Sequence, residues 1–216
     1  MILTRRRFSQ LLITGIGLAA VPAWAANLVE GRDWRLLSPA QPSDAEPGKI
    51  EVLEFFSYGC PHCSDLNRVS KPWVATLPED VLVRRVPVSF GRSAWANLGR
   101  LYYALDYTGD LDRLDRAVFD ALHKERRRLF TEREILAWLG DQGVDTESFA
   151  KVFNSFGVHA RLARSDQLVA NYQVNAVPMI AVAGRYIVVG SEATGFGDLL
   201  VITEGLIDKA RTELVG

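Results

Sequence analysis

The residues able to do chemistry lie in one stretch, Ser57-Tyr58-Gly59-Cys60-Pro61-His62-Cys63. Cys60 and Cys63 are the only two cysteines in 216 residues, and two residues separate them. The apolar run Val52-Leu53-Glu54-Phe55-Phe56 precedes them and a stretch of helical pattern follows. A strand, a short turn and a helix opening on C-x-x-C is the arrangement of a redox-active dithiol. The first cysteine then sits at the helix N-terminus, where unpaired N–H groups and the helix dipole stabilise negative charge. Cys60 is therefore expected to be a thiolate near neutral pH and a good leaving group from a disulfide.

Pro61 falls in the first helical turn, where a missing N–H costs nothing and a fixed φ suits the helix. His62 can direct a hydrogen bond or a positive charge at the Cys60 sulfur. Stabilising the thiolate stabilises the reduced form, which makes the disulfide a stronger oxidant. The motif thus points toward donating disulfides rather than removing them. Two other readings compete. A structural disulfide closing so short a loop removes little chain entropy. A zinc site normally takes four ligands, whereas this chain has two cysteines and three scattered histidines, His62, His123 and His159. No metal and no cofactor are expected, because the cysteine pair is itself the redox couple.

With 48% hydrophobic and 24% charged residues and a formal charge of −1, the composition is that of an ordinary globular protein. It has neither a strongly basic balance nor aromatic-basic interleaving, so no nucleic acid partner is expected. Residues 1–25 read as a cleavable signal peptide: Arg5-Arg6-Arg7, an apolar stretch from Leu11 to Val21, then the small-x-small site Ala23-Trp24-Ala25. The apolar stretch is short for a membrane span of ~20 residues. Thr4-Arg5-Arg6-Arg7-Phe8 also resembles a twin-arginine export signal, and either route leads out of the cytoplasm. Cleavage would take three arginines and lower the formal charge from −1 to −4. Exported proteins meet an oxidising environment, and one carrying a single C-x-x-C pair is better suited to making disulfides in others than to relying on them.

Residues 27–49 form a Pro/Gly-punctuated lead-in with one short strand candidate, Trp34-Arg35-Leu36-Leu37. Ile50 to Phe56 reads as a strand buried on both faces, which makes Glu54 the odd residue. It either turns outward or pairs with a base, or it is a buried carboxyl beneath the cysteines, raised in pKa and able to pass protons to Cys63. A helix is expected from Cys60 to about Leu77, with Leu66, Val69, Trp73 and Val74 at helical spacing and Pro72 as a potential kink. A strand over 81–88 follows. Leu98, Leu101, Tyr102 and Leu105 then mark one helix, Leu111, Leu114, Val118 and Leu122 a second, and Phe149, Val152, Phe153 and Phe156 another. Thr131-Glu132-Arg133-Glu134 is a capping box opening a helix over Ile135–Leu139. The basic run Lys124–Arg128 reads as a solvated helix end. Ala160 to Tyr172 is expected as a helix, Asn175–Val182 and Arg185–Val189 as a hairpin, and Gly197–Leu214 as a closing helix.

These pieces resemble a family. Phe55-Phe56-Ser57-Tyr58-Gly59-Cys60-Pro61-His62-Cys63, the helical stretch and Val177-Pro178 together are similar to the DsbA family, periplasmic thiol:disulfide oxidoreductases of Gram-negative bacteria. The resemblance implies an α/β thioredoxin fold with an inserted all-helical domain: residues 26–88 and 168–216 forming the thioredoxin-like part and 89–167 the insertion. It also implies that Pro178 is cis and lies opposite the cysteines, leaving the Val177 backbone open to pair with a passing peptide as an added strand. Glu54 falls where the family has a buried acid, and His62 matches the motif residue.

The implied reaction is attack of a substrate thiolate on Cys60 of the Cys60–Cys63 disulfide, a mixed disulfide, and its resolution by a second substrate thiol, with Cys63 as the buried partner. Implied partners are reduced, unfolded exported proteins and a membrane oxidase of the DsbB kind that recycles the pair. A ring of Tyr58, Phe90 and Val177 is expected to hold clients loosely. A reductase or isomerase of the same fold is the nearest alternative, but residues 27–49 are short for the dimerisation segment of such isomerases, so a monomer is expected. A non-redox holdase is the alternative from another class.

Overall fold

The computed structural model describes residues 28–215, and side chains through Glu213. The signal peptide expected over 1–25 lies outside the described residues.

Seven consecutive residues, Ile50–Phe56, form strand β2, and every one of them is buried. Such a strand needs a neighbour on each side and a layer on each face. β2 pairs parallel with β3 (Val81–Pro87) and antiparallel with β4 (Met179–Val182). β4 continues antiparallel to β5 (Tyr186–Val188), and β5 to the short β1 (Trp34–Leu36), giving the order β1-β5-β4-β2-β3. Alternation along β2 splits its side chains between the two faces. Ile50 and Val52 join Leu66 of helix α1 (Pro61–Val74) and Leu206 and Ile207 of helix α7 (Phe196–Val215). Leu53 and Phe55 pack on the opposite face with Tyr172, which caps helix α6 (Phe156–Asn171).

Between β3 and β4 run five helices: α2 (Ser93–Thr108), α3 (Leu111–His123), α4 (Glu132–Asp141), α5 (Thr146–Phe153) and α6. They enclose a core of their own built on Leu101, Leu105, Val118, Phe119, Ile135 and Phe153. That core also contains Phe56, Tyr58, Cys60 and Cys63. The motif is therefore packed where the inserted helical domain meets the end of the central strand. Gly99 permits the close approach of α2, since a Cβ there would lie 2.8 Å from Leu162 and 3.5 Å from Pro87.

Several elements differ from the sequence reading. The apolar spacing of Phe149, Val152, Phe153 and Phe156 does not belong to one helix. Asn154 ends α5, the Ser155 side chain accepts from Val158 N–H to open α6, and Phe156 is 88% exposed. A capping residue outranks apolar periodicity here. Helix α1 ends at Val74, with Pro72 in its last turn. Its buried face matches the expected apolar stripe only in part: Leu66 is buried and Trp73 packs on the core, but Val69 and Val74 are exposed, while Asn67 and Ser70 are buried with Cys63. Strand β4 starts at Met179, after Pro178. Thr131 and Glu134 make the expected capping box. Lys124 to Arg128 is exposed, and Lys124, Arg127 and Arg128 pair with Asp120, Asp141 and Glu134.

Phe119 of α3 is fully buried and stands edge-on to Tyr58, with ring centroids 4.8 Å apart. Phe119→Ala should cost about 3–5 kcal/mol by leaving a cavity between the motif and the helical domain. Urea denaturation should show a lowered midpoint, and an unchanged midpoint would deny this contact its structural weight.

Candidate active site

Strand β2 delivers the chain into a tight turn in which Gly59 N–H donates to Ser57 Oγ (3.1 Å) and Cys60 N–H to the Ser57 carbonyl (3.0 Å). Cys60 then caps α1 from an extended conformation (φ −100°, ψ 120°), and Pro61 occupies the first helical turn. Cys60 is 8% exposed and Cys63, one turn in, is 0% exposed. Both are free thiols. The Cys60 Sγ donates to the Val177 carbonyl at 3.3 Å, next to the cis bond between Val177 and Pro178. Residues 117 apart in sequence meet here because β4 lies beside β2.

The two thiols have opposite acidities. Cys60 is lowered from 9.0 to about 6, chiefly by a hydrogen bond from the Cys63 thiol. Burial opposes this, while the backbone N–H groups of Cys63 and His62 and the charge of the His62 ring add to it. The N–H contribution is the helix N-terminus acting on an anion. Cys63 is pushed far up, first by burial and then by the hydrogen bond it gives to Cys60, with the charge of Glu54 contributing. One sulfur is thus a ready nucleophile and leaving group at neutral pH, and the other ionises only with help.

Behind the cysteines lies a buried polar cluster. The parallel register sets Glu54 of β2 opposite Arg85 of β3. Arg85 Nε is 3.5 Å from Glu54 Oε1, and its Nη1 donates to Asp115 Oδ1 at 2.7 Å. Asp115 also accepts from the Tyr58 hydroxyl (2.7 Å) and Asn67 Nδ2 (2.9 Å). The guanidinium lies 3.9 Å from the Phe56 ring centroid. Burial pushes the Glu54 carboxyl up, and the Arg85 charge only partly offsets it. At Asp115 burial acts in the same sense, but Arg85 and the three hydrogen bonds overcome it and hold the carboxyl below its ordinary value. A cavity of about 480 Å³ reaches Glu54, Ser70, Arg85, Tyr102 and Asp115 from the surface on this side.

The fold brings Cys60, Cys63, Val177 and Pro178 together, with Glu54 buried behind them and Pro61 and His62 at the exposed rim. Tyr58 is not part of an exposed apolar ring. It is 1% exposed, because its hydroxyl is committed to Asp115 and its ring to Phe56 and Phe119. Phe90 and Val177 are half-buried. Three residues of the site escaped the sequence reading. Arg85 was legible as a base within a strand paired to an acid-bearing one. Asp115 stands on the apolar stripe of α3, four residues after Leu111 and three before Val118, where a carboxylate demands a partner. His123, whose Nε2 donates to the Tyr58 carbonyl at 2.7 Å, carried no signal beyond its place at a helix end.

Residues 51–196 match the DSBA-like thioredoxin domain family. The chain belongs to that family. It is 36% identical over 197 residues to the thiol:disulfide interchange protein DsbA of Azotobacter vinelandii, covering 91% of each. With the DsbA of Bordetella parapertussis it shares 37% identity over 206 residues, covering 93% of this chain and 96% of the relative. The crystal structure of Pseudomonas aeruginosa DsbA superposes with a TM-score of 0.83 at 35% identity, covering 89% of this chain and 99% of that one. This DsbA-family chain is accordingly a thiol:disulfide oxidoreductase with a thioredoxin fold and an inserted helical domain. Among the described residues no helix is long and apolar enough to cross a membrane.

Titration of the reduced protein by thiolate absorbance should show a transition at about 6 from Cys60 and none from Cys63 below strongly alkaline pH. The folded pKa of Cys60 is depressed, so the stability it confers is fully present above its unfolded value near 9 and lost as pH falls through about 6. The difference is worth about 4 kcal/mol. The urea midpoint of the reduced protein, compared with Cys60→Ser, should therefore climb between those two pH values. A flat difference would contradict the assigned thiolate.

Proposed function

We propose that this DsbA-family protein donates its Cys60–Cys63 disulfide to reduced, exported proteins in the periplasm. The observation that carries the reading is the contrast between a Cys60 thiol depressed to about 6 and a buried Cys63. A reduced pair in which one sulfur rests as a stabilised thiolate favours the dithiol state, and so makes the disulfide oxidising.

In the reaction a substrate thiolate attacks the Cys60 sulfur. The Cys60–Cys63 bond breaks, and Cys63 leaves with the electron pair and takes a proton, with Glu54 as its donor. A second substrate thiolate then attacks the substrate sulfur of the mixed disulfide. Cys60 leaves as its stabilised thiolate, the substrate carries the new disulfide, and the enzyme is the dithiol. His62 and Pro61 serve Cys60 from the helix N-terminus. The backbone at Val177 and Pro178 would align an extended substrate segment against the cysteines by strand addition. A membrane oxidase of the DsbB kind would return the pair to the disulfide. Residues 1–25 would direct export, 26–88 and 168–216 would form the redox domain with 89–167 inserted in it, and the mature protein would act as a monomer.

Equilibration with glutathione, followed by tryptophan fluorescence, tests the direction. Trp95 packs against the motif, its indole nitrogen lying 2.8 Å from where a Gly59 Cβ would stand. A pair reduced by modest glutathione fits the donor, since about 30 mV corresponds to 1.4 kcal/mol. A pair that stays oxidised against a large thiol excess would make the protein a reductase. Cys60→Ser should abolish oxidation of a reduced client, whereas retention of client protection without redox turnover would favour a holdase.

A further inference from the structure

The two buried carboxylates behind the cysteines are served unequally by the one guanidinium between them. Asp115 of α3 takes Arg85 Nη1 at 2.7 Å on the oxygen that also accepts the Tyr58 hydroxyl at 2.7 Å, and its other oxygen accepts Asn67 at 2.9 Å. Glu54 has only long contacts, Arg85 Nε at 3.5 Å and Ser70 Oγ at 3.5 Å. Among the described residues, Glu54 Oε1 and Arg85 Nε and Nη2 make no hydrogen bond. Arg85 carries one positive charge. Two ionised carboxylates beside it would leave a net negative charge in a buried site, which is costly. One must hold a proton, and the contacts decide which.

We propose that Asp115 is a positioning residue for disulfide exchange: by engaging Arg85 through the shorter contact, it keeps Glu54 protonated within electrostatic reach of Cys63. The inference rests on the donor reading above and adds a residue to it. The proton matters at one step. When the substrate thiolate bonds to Cys60 and the Cys60–Cys63 bond breaks, the Cys63 sulfur leaves into a buried site that opposes its charge. Glu54 gives up its proton to that sulfur, becomes a carboxylate beside Arg85, and is reprotonated from water through the cavity it lines.

The groups that face this pair come from every surrounding element: Arg85 of β3, Ser70, Asn67 and Cys63 of α1, Tyr58 of the motif turn and Tyr102 of α2. Burial raises both tyrosines above their ordinary value, so they stay neutral through the working range. Of the two carboxyls, Glu54 is the one held up and Asp115 the one held down.

The test begins with a carboxyl-carbon NMR titration of the intact oxidised protein, assigned with Glu54→Gln and Asp115→Asn. Glu54 should titrate above the ordinary carboxylate range and Asp115 below it, and the reverse order overturns the proposal. Asp115→Asn removes the competing charge and hands Arg85 to Glu54. Exchange rates, expressed per substrate thiolate, should fall as pH rises through the Glu54 titration in the wild type. In Asp115→Asn that fall should move to lower pH, leaving exchange about tenfold slower at neutral pH. Tyr58→Phe, which removes a hydrogen bond to Asp115 but no charge, should weaken folding without moving the fall. Glu54→Gln should give a flat profile. A flat Glu54→Gln profile with an unmoved fall in Asp115→Asn overturns the proposal alone. A fall that survives in Glu54→Gln overturns it together with the proton-donor role. The glutathione equilibrium of the wild type separately tests the donor reading.

Discussion

One buried guanidinium joins the two halves of this molecule. Arg85 sits on β3, faces Glu54 on β2, bonds to Asp115 on α3 and lies over the ring of Phe56. Removing one partner from such a buried group leaves an uncompensated charge and costs about 3–5 kcal/mol. The sheet and the inserted helical domain are therefore held in one relative position by a charge requirement as well as by apolar packing. That position is also what the chemistry needs. Asp115 bonds to Tyr58 in the motif turn, and Arg116, the next residue, donates to the Ser64 carbonyl and hydroxyl beside Cys63. Helix α3 thus grips the redox motif on both sides of the cysteine pair.

The acidity contrast between the cysteines follows from where the turn ends. Cys60 is the capping residue, so free N–H groups point at its sulfur. Cys63 lies one turn further in, with its side chain in the core of the helical domain. A shift of the helix start by one residue would aim those N–H groups at another side chain. The turn bonds from Gly59 and Cys60 to Ser57, with Pro61 at the first helical position, keep that start in place.

Much of this was legible in the sequence because it rests on local rules. The buried strand Ile50–Phe56, the redox turn and the capping box at Thr131 each carry their own signature within a few residues. The meeting of Val177-Pro178 with Cys60 was accessible only through family resemblance, since no local pattern joins residues 117 apart. The polar floor of the site was hidden for a related reason. Val69 and Val74 read as core of α1 and Asn67 and Ser70 carried no signal, because periodicity assumes an apolar neighbour. Here part of the neighbour is a charged cluster, and it draws Asn67 and Ser70 inward beside Leu66. Phe156 shows the opposite failure, an apolar residue in register that a serine cap turns out to solvent.

The cluster also explains why the cysteines cannot exchange roles. A sulfur that leaves as a stable thiolate must have hydrogen-bond donors and solvent access, and Cys60 alone has both. A sulfur that must not attack back on the mixed disulfide before a second substrate thiol does gains from being kept protonated, and burial supplies that at Cys63. Protonating Cys63 has its own requirement, an acid that burial keeps neutral yet does not isolate from water. Glu54, raised by burial and lining the cavity, has the properties the proposed proton donor needs. The direction of disulfide transfer is then a property of placement: one sulfur at the helix N-terminus, one in the core, and a carboxyl that shares its counter-charge with Asp115.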